Sequence, residues 1–88
     1  MELFESEEAQ ADKKKIKKSY PKSTQNRVER IVKEMLDTPY EGIGKPEPLK
    51  YSLTGFWSRR LTDKERIVYY VDSNTLNIVR YLSHYDDK

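Results

Sequence analysis

Between residues 28 and 36 the chain places apolar side chains at helical spacing. Val28, Ile31, Val32, Met35 and Leu36 fall at i, i+3, i+4, i+7 and i+8, the pattern of a helix with one apolar face. A stripe that wide has to be buried against another element. The segment before it cannot supply the whole partner, because Ala9, Ile16 and Tyr20 make only a weak stripe among Lys13, Lys14, Lys15, Lys17 and Lys18. A sheet is the natural complement, and the second half of the sequence provides the strands for one.

Four runs, at 49–53, 56–61, 66–71 and 76–82, are rich in aromatic and β-branched residues. Thr54-Gly55, residues 62–65 and residues 72–74 separate them as turns. Links this short join antiparallel neighbours. Leu3-Phe4 reads as a further edge strand. Ser6 is placed to cap a first helix that Pro21 ends, and Ser23 or Thr24 to cap a second reaching about Thr38. The expected class is α+β: an N-terminal helical hairpin on one face of a four- to five-stranded antiparallel sheet. The 88 residues read as a single domain. A domain of this size buries only about 60–65% of the surface its unfolded chain exposes. Its core is thin, so a functional site belongs on the open sheet face or in a shallow groove.

Formal net charge is only +2, but the charges are segregated. Residues 1–12 are acidic, residues 13–22 are strongly basic, and Arg59, Arg60, Arg66 and Arg80 recur among the strands. Clustered cations suit contact with a polyanion such as RNA, although a charge run more often marks a solvated face. With no cysteine and one histidine, disulfides and Cys- or His-rich metal sites are not expected. No cofactor is expected. No apolar run has the length of a signal-peptide core or a membrane span, so the expected compartment is the cytoplasm.

Glu47 stands between Pro46 and Pro48. A residue before proline is pushed toward extended backbone, so Lys45 and Glu47 are expected to form a stiff arm presenting a carboxylate. Strand alternation sets Ile67, Tyr69 and Val71 on one face and Arg66, Val68 and Tyr70 on the other. In a regular last strand Val79 and Tyr81 share a side, and Arg80, Leu82 and His84 share the opposite one. With the Ile67 and Val79 sides on the helices, Arg66, Arg80 and His84 meet on the open face. Taken singly, each of these residues has a bland reading as a surface histidine, a salt-bridge arginine or a loop carboxylate, and spacing alone does not choose.

The segments Gly42-Ile43-Gly44-Lys45-Pro46-Glu47-Pro48-Leu49-Lys50 and Leu53-Thr54-Gly55-Phe56-Trp57-Ser58-Arg59-Arg60-Leu61 resemble the YoeB family of toxins, within the RelE/ParE-like superfamily. Arg66-Ile67-Val68-Tyr69 and His84-Tyr85 extend the likeness, which runs without gaps from about Pro39 to Tyr85. In the first half the resemblance is one of layout, since a lysine-rich helix stands where family members have an aromatic-rich one. Leu82-Ser83 before His84, and Asp86-Asp87-Lys88 after Tyr85, also depart from the family pattern.

The resemblance implies a ribosome-dependent, metal-independent endoribonuclease that cuts messenger RNA in the decoding site. Its implied partners are the ribosome with its message and a cognate antitoxin of the YefM/Phd-like kind; a homodimer is also among the implied assemblies, and no membrane is. It assigns Glu47 as general base, Arg66 as phosphate stabiliser, His84 as general acid and Tyr85 as a substrate-positioning residue. Lys45, Lys50, Arg59, Arg60 and Arg80 become RNA contacts. The residue types suit the work: RNA carries its own 2′-hydroxyl nucleophile, arginine grips phosphate through two donors, and histidine exchanges protons near neutrality. Trp57 is expected to pack before it touches RNA. Two other functions share this fold: a ParE-like protein acting on gyrase without cutting RNA, and an inactive RNA- or antitoxin-binding relic. The Glu47, Arg66 and His84 set favours the nuclease.

Overall fold

The structure, a computed structural model, describes residues 1–84. Strand β1 (Glu2–Glu5) leads into helix α1 (Glu7–Ser19) and helix α2 (Lys22–Asp37). Then come β2 (Glu47–Pro48), a 3₁₀ turn (Tyr51–Leu53), β3 (Trp57–Arg60), β4 (Glu65–Asp72) and β5 (Thr75–His84). The class is α+β, two helices on one face of a five-stranded sheet of order β1-β5-β4-β3-β2. The sheet is mixed, since β1 runs parallel to β5 while the other pairs are antiparallel. The helical hairpin carries the chain from β1 to β2 at the opposite edge of the sheet, where β2 runs opposite to β1, and the last strand, β5, returns beside β1 in β1's direction. Short links could speak only for the C-terminal strands.

Ser6 caps α1 by accepting the Ala9 N–H at 3.0 Å, and Glu7, Glu8, Lys17 and Lys18 lie at the ends that suit the helix dipole. α2 starts earlier than Ser23: Pro21 occupies its cap position and no side chain caps it. The stripe of α2 meets the sheet as its period requires. Ile31 and Met35 are fully buried and Val28 nearly so, while Val32 and Leu36 pack at the margin of the core. From the sheet, Ile67, Tyr69, Leu76, Ile78 and Tyr81 complete it. Residues 49–53 form no strand. β2 ends at Pro48, on the sheet edge where a residue without an N–H is tolerated, and the chain then tightens into the 3₁₀ turn.

β5 carries the irregularity that matters for function. Its pairing with β4 shifts twice, between Tyr69 and Val68 and between Val68 and Arg66. The consecutive amides of Tyr81 and Leu82 both donate to one oxygen of Asp12, at 3.0 and 3.1 Å. Regular strand amides alternate, so two pointing the same way mark a bulge. Ile78, paired with Tyr69, faces the core, so Val79, expected on the helix side, is only partly buried, while Tyr81 and Leu82 are both buried. The Arg80 guanidinium completes the Asp12 site with bonds of 2.7 and 3.1 Å.

Burial pushes the Asp12 carboxyl up, but the Arg80 guanidinium and the Leu82 and Tyr81 amides outweigh it and hold the group below the usual carboxylate range. A lowered folded value means that the stabilisation is complete above the ordinary Asp range and fades as pH falls through the lowered one. Asp12→Asn is therefore expected to cost about 2–3 kcal/mol near neutrality, the worth of a charged hydrogen-bond site. The gap from wild type should narrow as pH drops below about 4, as read by urea titrations across pH. A gap that stays constant into acid would show that the charge of Asp12 contributes nothing.

Candidate active face

The stretch from Thr38 to Gly44 is shaped by Arg59. Its side chain is 0% exposed. It ion-pairs with Glu34 of α2 at 2.6 Å and donates to the carbonyls of Thr38, Glu41 and Ile43 at 2.6, 2.8 and 3.3 Å. Arg59 was expected among the RNA contacts; the structure corrects this. It lies opposite Ile67 in the β3–β4 ladder, on the core face. The Ile43 amide and the Arg59 guanidinium hold the Glu34 carboxyl below its usual range. Gly44 follows at φ +84, and its carbonyl accepts the Arg60 N–H at 2.7 Å. A Cβ here would meet the Arg60 backbone at 2.7 and 3.0 Å, so only glycine fits.

That anchored loop delivers β2. Lys45 departs from the extended backbone expected before proline and takes φ +52, since the chain must turn from the Gly44–Arg60 contact into the sheet edge. Glu47 and Pro48 then pair with Ser58 and Trp57. Trp57 packs against the core and lies 4.6 Å from the Tyr40 ring, so packing accounts for it. Alternation turns Glu47, Ser58 and Arg60 to the open face, where Arg60 and Ser58 face Arg66 and Val68 of β4. The Arg66 Nη1 donates to the Ser58 Oγ at 3.3 Å and stands 3.9 Å from the Glu47 Oε1. Glu47 is 58% exposed and Arg66 19%. Lys45, Lys50 and Arg60 are also exposed. Phe56 stacks on Tyr70 with ring centroids 5.2 Å apart. Ser58 escaped the sequence reading, although its spacing from Arg60 on an alternating strand places both on one face.

The other expected members fall elsewhere. Arg80 is opposite Val68, but its guanidinium is drawn to Asp12 of α1, so its visible role is to close the bulge. His84 was expected beside Arg66. The bulge shifts the register, so Ser83 faces Arg66 and His84 faces Glu65. Glu65 shares the helix side with Ile67, and His84 lines a shallow depression there with Tyr20, Pro21, Thr24 and Thr62. Glu65 accepts the Tyr20 hydroxyl at 2.5 Å, which together with burial pushes Tyr20 up to about 12 and keeps it a neutral donor. Leu76 and Ile78, not Val79, start β5 on the helix side; the first shift turns Arg80 to the open face and the second returns His84 to the side of Ile78, so parity counted from Val79 misplaced it. Tyr85 lies outside the described residues. Among the described residues no group of His, Cys, Asp or Glu is gathered as a metal centre, and no helix is long and apolar enough to cross a membrane.

Residues 6–85 match the family model for the YoeB-like toxin of bacterial type II toxin-antitoxin systems. The chain belongs to this family. Toxin YoeB of Escherichia coli O6:H1 (strain CFT073) is 49% identical over 59 residues, which cover 67% of this chain and 70% of that protein. The YoeB/ParE toxin from Agrobacterium tumefaciens superposes with a TM-score of 0.90 at 30% identity, covering 97% of this chain and all of that one. A YoeB dimer from Staphylococcus aureus gives a TM-score of 0.86 at 35% identity, covering 97% of this chain and 98% of that one. The heterotetrameric YoeB–YefM toxin-antitoxin complex from the same organism gives 0.84 with the same identity and coverage. The face that carries Glu47 and Arg66 is thus the open sheet face of a YoeB-like toxin, and Arg59 and Asp12 are the buried charges that shape it.

Proposed function

We propose that this YoeB-like toxin is an endoribonuclease that cuts messenger RNA bound to the ribosome, and that an antitoxin of the YefM kind silences it. The observation that carries the reading is the Glu47–Arg66 pair, an exposed carboxylate 3.9 Å from a guanidinium. A carboxylate can take the proton of the 2′-hydroxyl while the guanidinium holds the adjacent phosphate. The 2′-oxygen attacks phosphorus, negative charge builds on the phosphorane oxygens, and Arg66 balances it. Stabilising such charge is often the largest part of catalysis. The bond to the 5′-oxygen then breaks, leaving a 2′,3′-cyclic phosphate. The family resemblance gives His84 the task of protonating the departing 5′-oxygen. That role requires the last residues of β5 to lose the one-residue shift that now turns His84 to the helix side. YefM-like antitoxin binding and self-association follow from the relatives' complexes and stand as parts of the same proposal.

Mapping the 5′ ends of a translated message with and without the protein tests the reading; a message left intact at every codon removes it. Roles should separate by residue. Glu47→Gln and Arg66→Ala should lower the cleavage rate of the saturated complex by about 10²–10⁴. Lys50→Ala and Arg60→Ala should mainly weaken binding and flatten its dependence on salt. Arg66→Ala that loses binding yet cuts at the wild-type rate would contradict the assignment.

A further inference from the structure

Tyr51 is the most exposed of the large hydrophobic side chains among the described residues, at 90%, and its backbone sits at φ +60. Left-handed backbone suits glycine or asparagine; for a bulky aromatic it is a true outlier and costs energy. The surrounding structure enforces it. The Tyr51 carbonyl accepts the Thr54 N–H at 3.1 Å and the Thr54 hydroxyl at 2.7 Å. The arm is closed at its base by Leu53 to Lys50 at 3.1 Å and by Leu49 to Phe56 at 2.8 Å. Neither the backbone nor packing explains a tyrosine here, because the backbone disfavours it and the ring meets almost no protein. Binding to something outside the chain is what remains.

We propose that Tyr51 is a stacking platform for an unpaired nucleobase of the RNA held against Glu47 and Arg66. This rests on the RNA-cleaving reading. Tyr51 follows exposed Lys50 directly and lies four residues after Glu47, a reach of at most about 14 Å along the chain. A nucleotide whose phosphate meets the cations of this face therefore brings neighbouring bases within range of the ring. Stacking accepts any base, since each has a π face, and a rigid arm holds the ring out at little further entropic cost. The base belongs either to the message or to the ribosomal RNA beside it; the chemistry is the same.

The test uses ribosomes programmed with a message that carries 2′-deoxyribose at the scissile nucleotide, so that binding is measured without turnover. Tyr51→Phe should bind like wild type. Tyr51→Leu and Tyr51→Asn should bind about 5- to 150-fold more weakly, the worth of one stacked base. Tyr51→Asn should at the same time melt a few degrees higher, about 4 °C, because asparagine tolerates this backbone; weaker binding by a more stable protein is not a folding defect. Abasic nucleotides in the message then locate the base. If one of them erases the difference between wild type and Tyr51→Asn, the base is in the message; if the difference survives all of them, it is ribosomal. Wild-type protein that neither binds nor cuts brings down the RNA reading and this role with it. Wild-type binding matched by Tyr51→Asn or Tyr51→Leu overturns the role of Tyr51 alone, as does a Tyr51→Asn defect confined to self-association in sedimentation.

Discussion

A message with 2′-deoxyribose only at the nucleotide 5′ to the scissile phosphate is expected to bind the ribosome and this protein normally and to remain uncut. The reason lies in where the nucleophile resides. With Glu47 as the base, the attacking oxygen is the ribose 2′-hydroxyl, and the deoxy substitution removes that atom and nothing else. The phosphate that Arg66 meets is unchanged, as are the bases and the charge. Cleavage at that bond should fall to background, while neighbouring all-ribose codons continue to be cut. The unmodified message should yield a 2′,3′-cyclic or 3′-phosphate and a free 5′-hydroxyl, readable by phosphatase- and kinase-dependent end labelling. Continued cutting of the deoxy-substituted bond would require water as the nucleophile and would overturn the role of Glu47, leaving family membership untouched.

The second large effect is on stability. Arg59→Leu is expected to cost about 3–5 kcal/mol, because it leaves the Glu34 carboxylate and three loop carbonyls without their shared partner. Small domains hold only about 5–15 kcal/mol in total. At roughly 4–8 °C per kcal/mol for a domain of this size, the melting temperature should fall by about 12–40 °C. Arg59→Lys should not rescue it, since one ammonium cannot span the fork that reaches Thr38, Glu41 and Glu34 together. The loop that positions Glu47 should loosen in parallel, seen as faster amide exchange across residues 38–44. Thermal melts decide the matter. A variant that melts within about 2 °C of wild type but fails to bind ribosomes would return Arg59 to the RNA-contacting set.

The two effects depend on different kinds of information. The α2 stripe, the Ser6 cap, β3, β4 and most of β5 were legible in the sequence because helical and strand periods are local properties. Glu47, Ser58, Arg60 and Arg66 reach one face by the same alternation, continued across an uninterrupted β2–β3–β4 ladder. The parallel entry of β1, the burial of Arg59 and the facing of His84 were not legible, and each has a long-range cause. β1 pairs with residues more than seventy positions away. Arg59 and Arg60 are adjacent and chemically alike, and only the packing of α2 and the Glu41 loop against β3 buries the first against the Glu34 carboxylate and three carbonyls, while the second stays exposed. His84 follows two register shifts in β5, beside which Asp12 of α1 takes the consecutive amides of Tyr81 and Leu82. Periodicity thus determined which residues could share a face. Contacts between distant elements decided where that periodicity breaks and which of the charges become structural, because burying a charge is favourable only where partners from elsewhere in the fold have already been assembled.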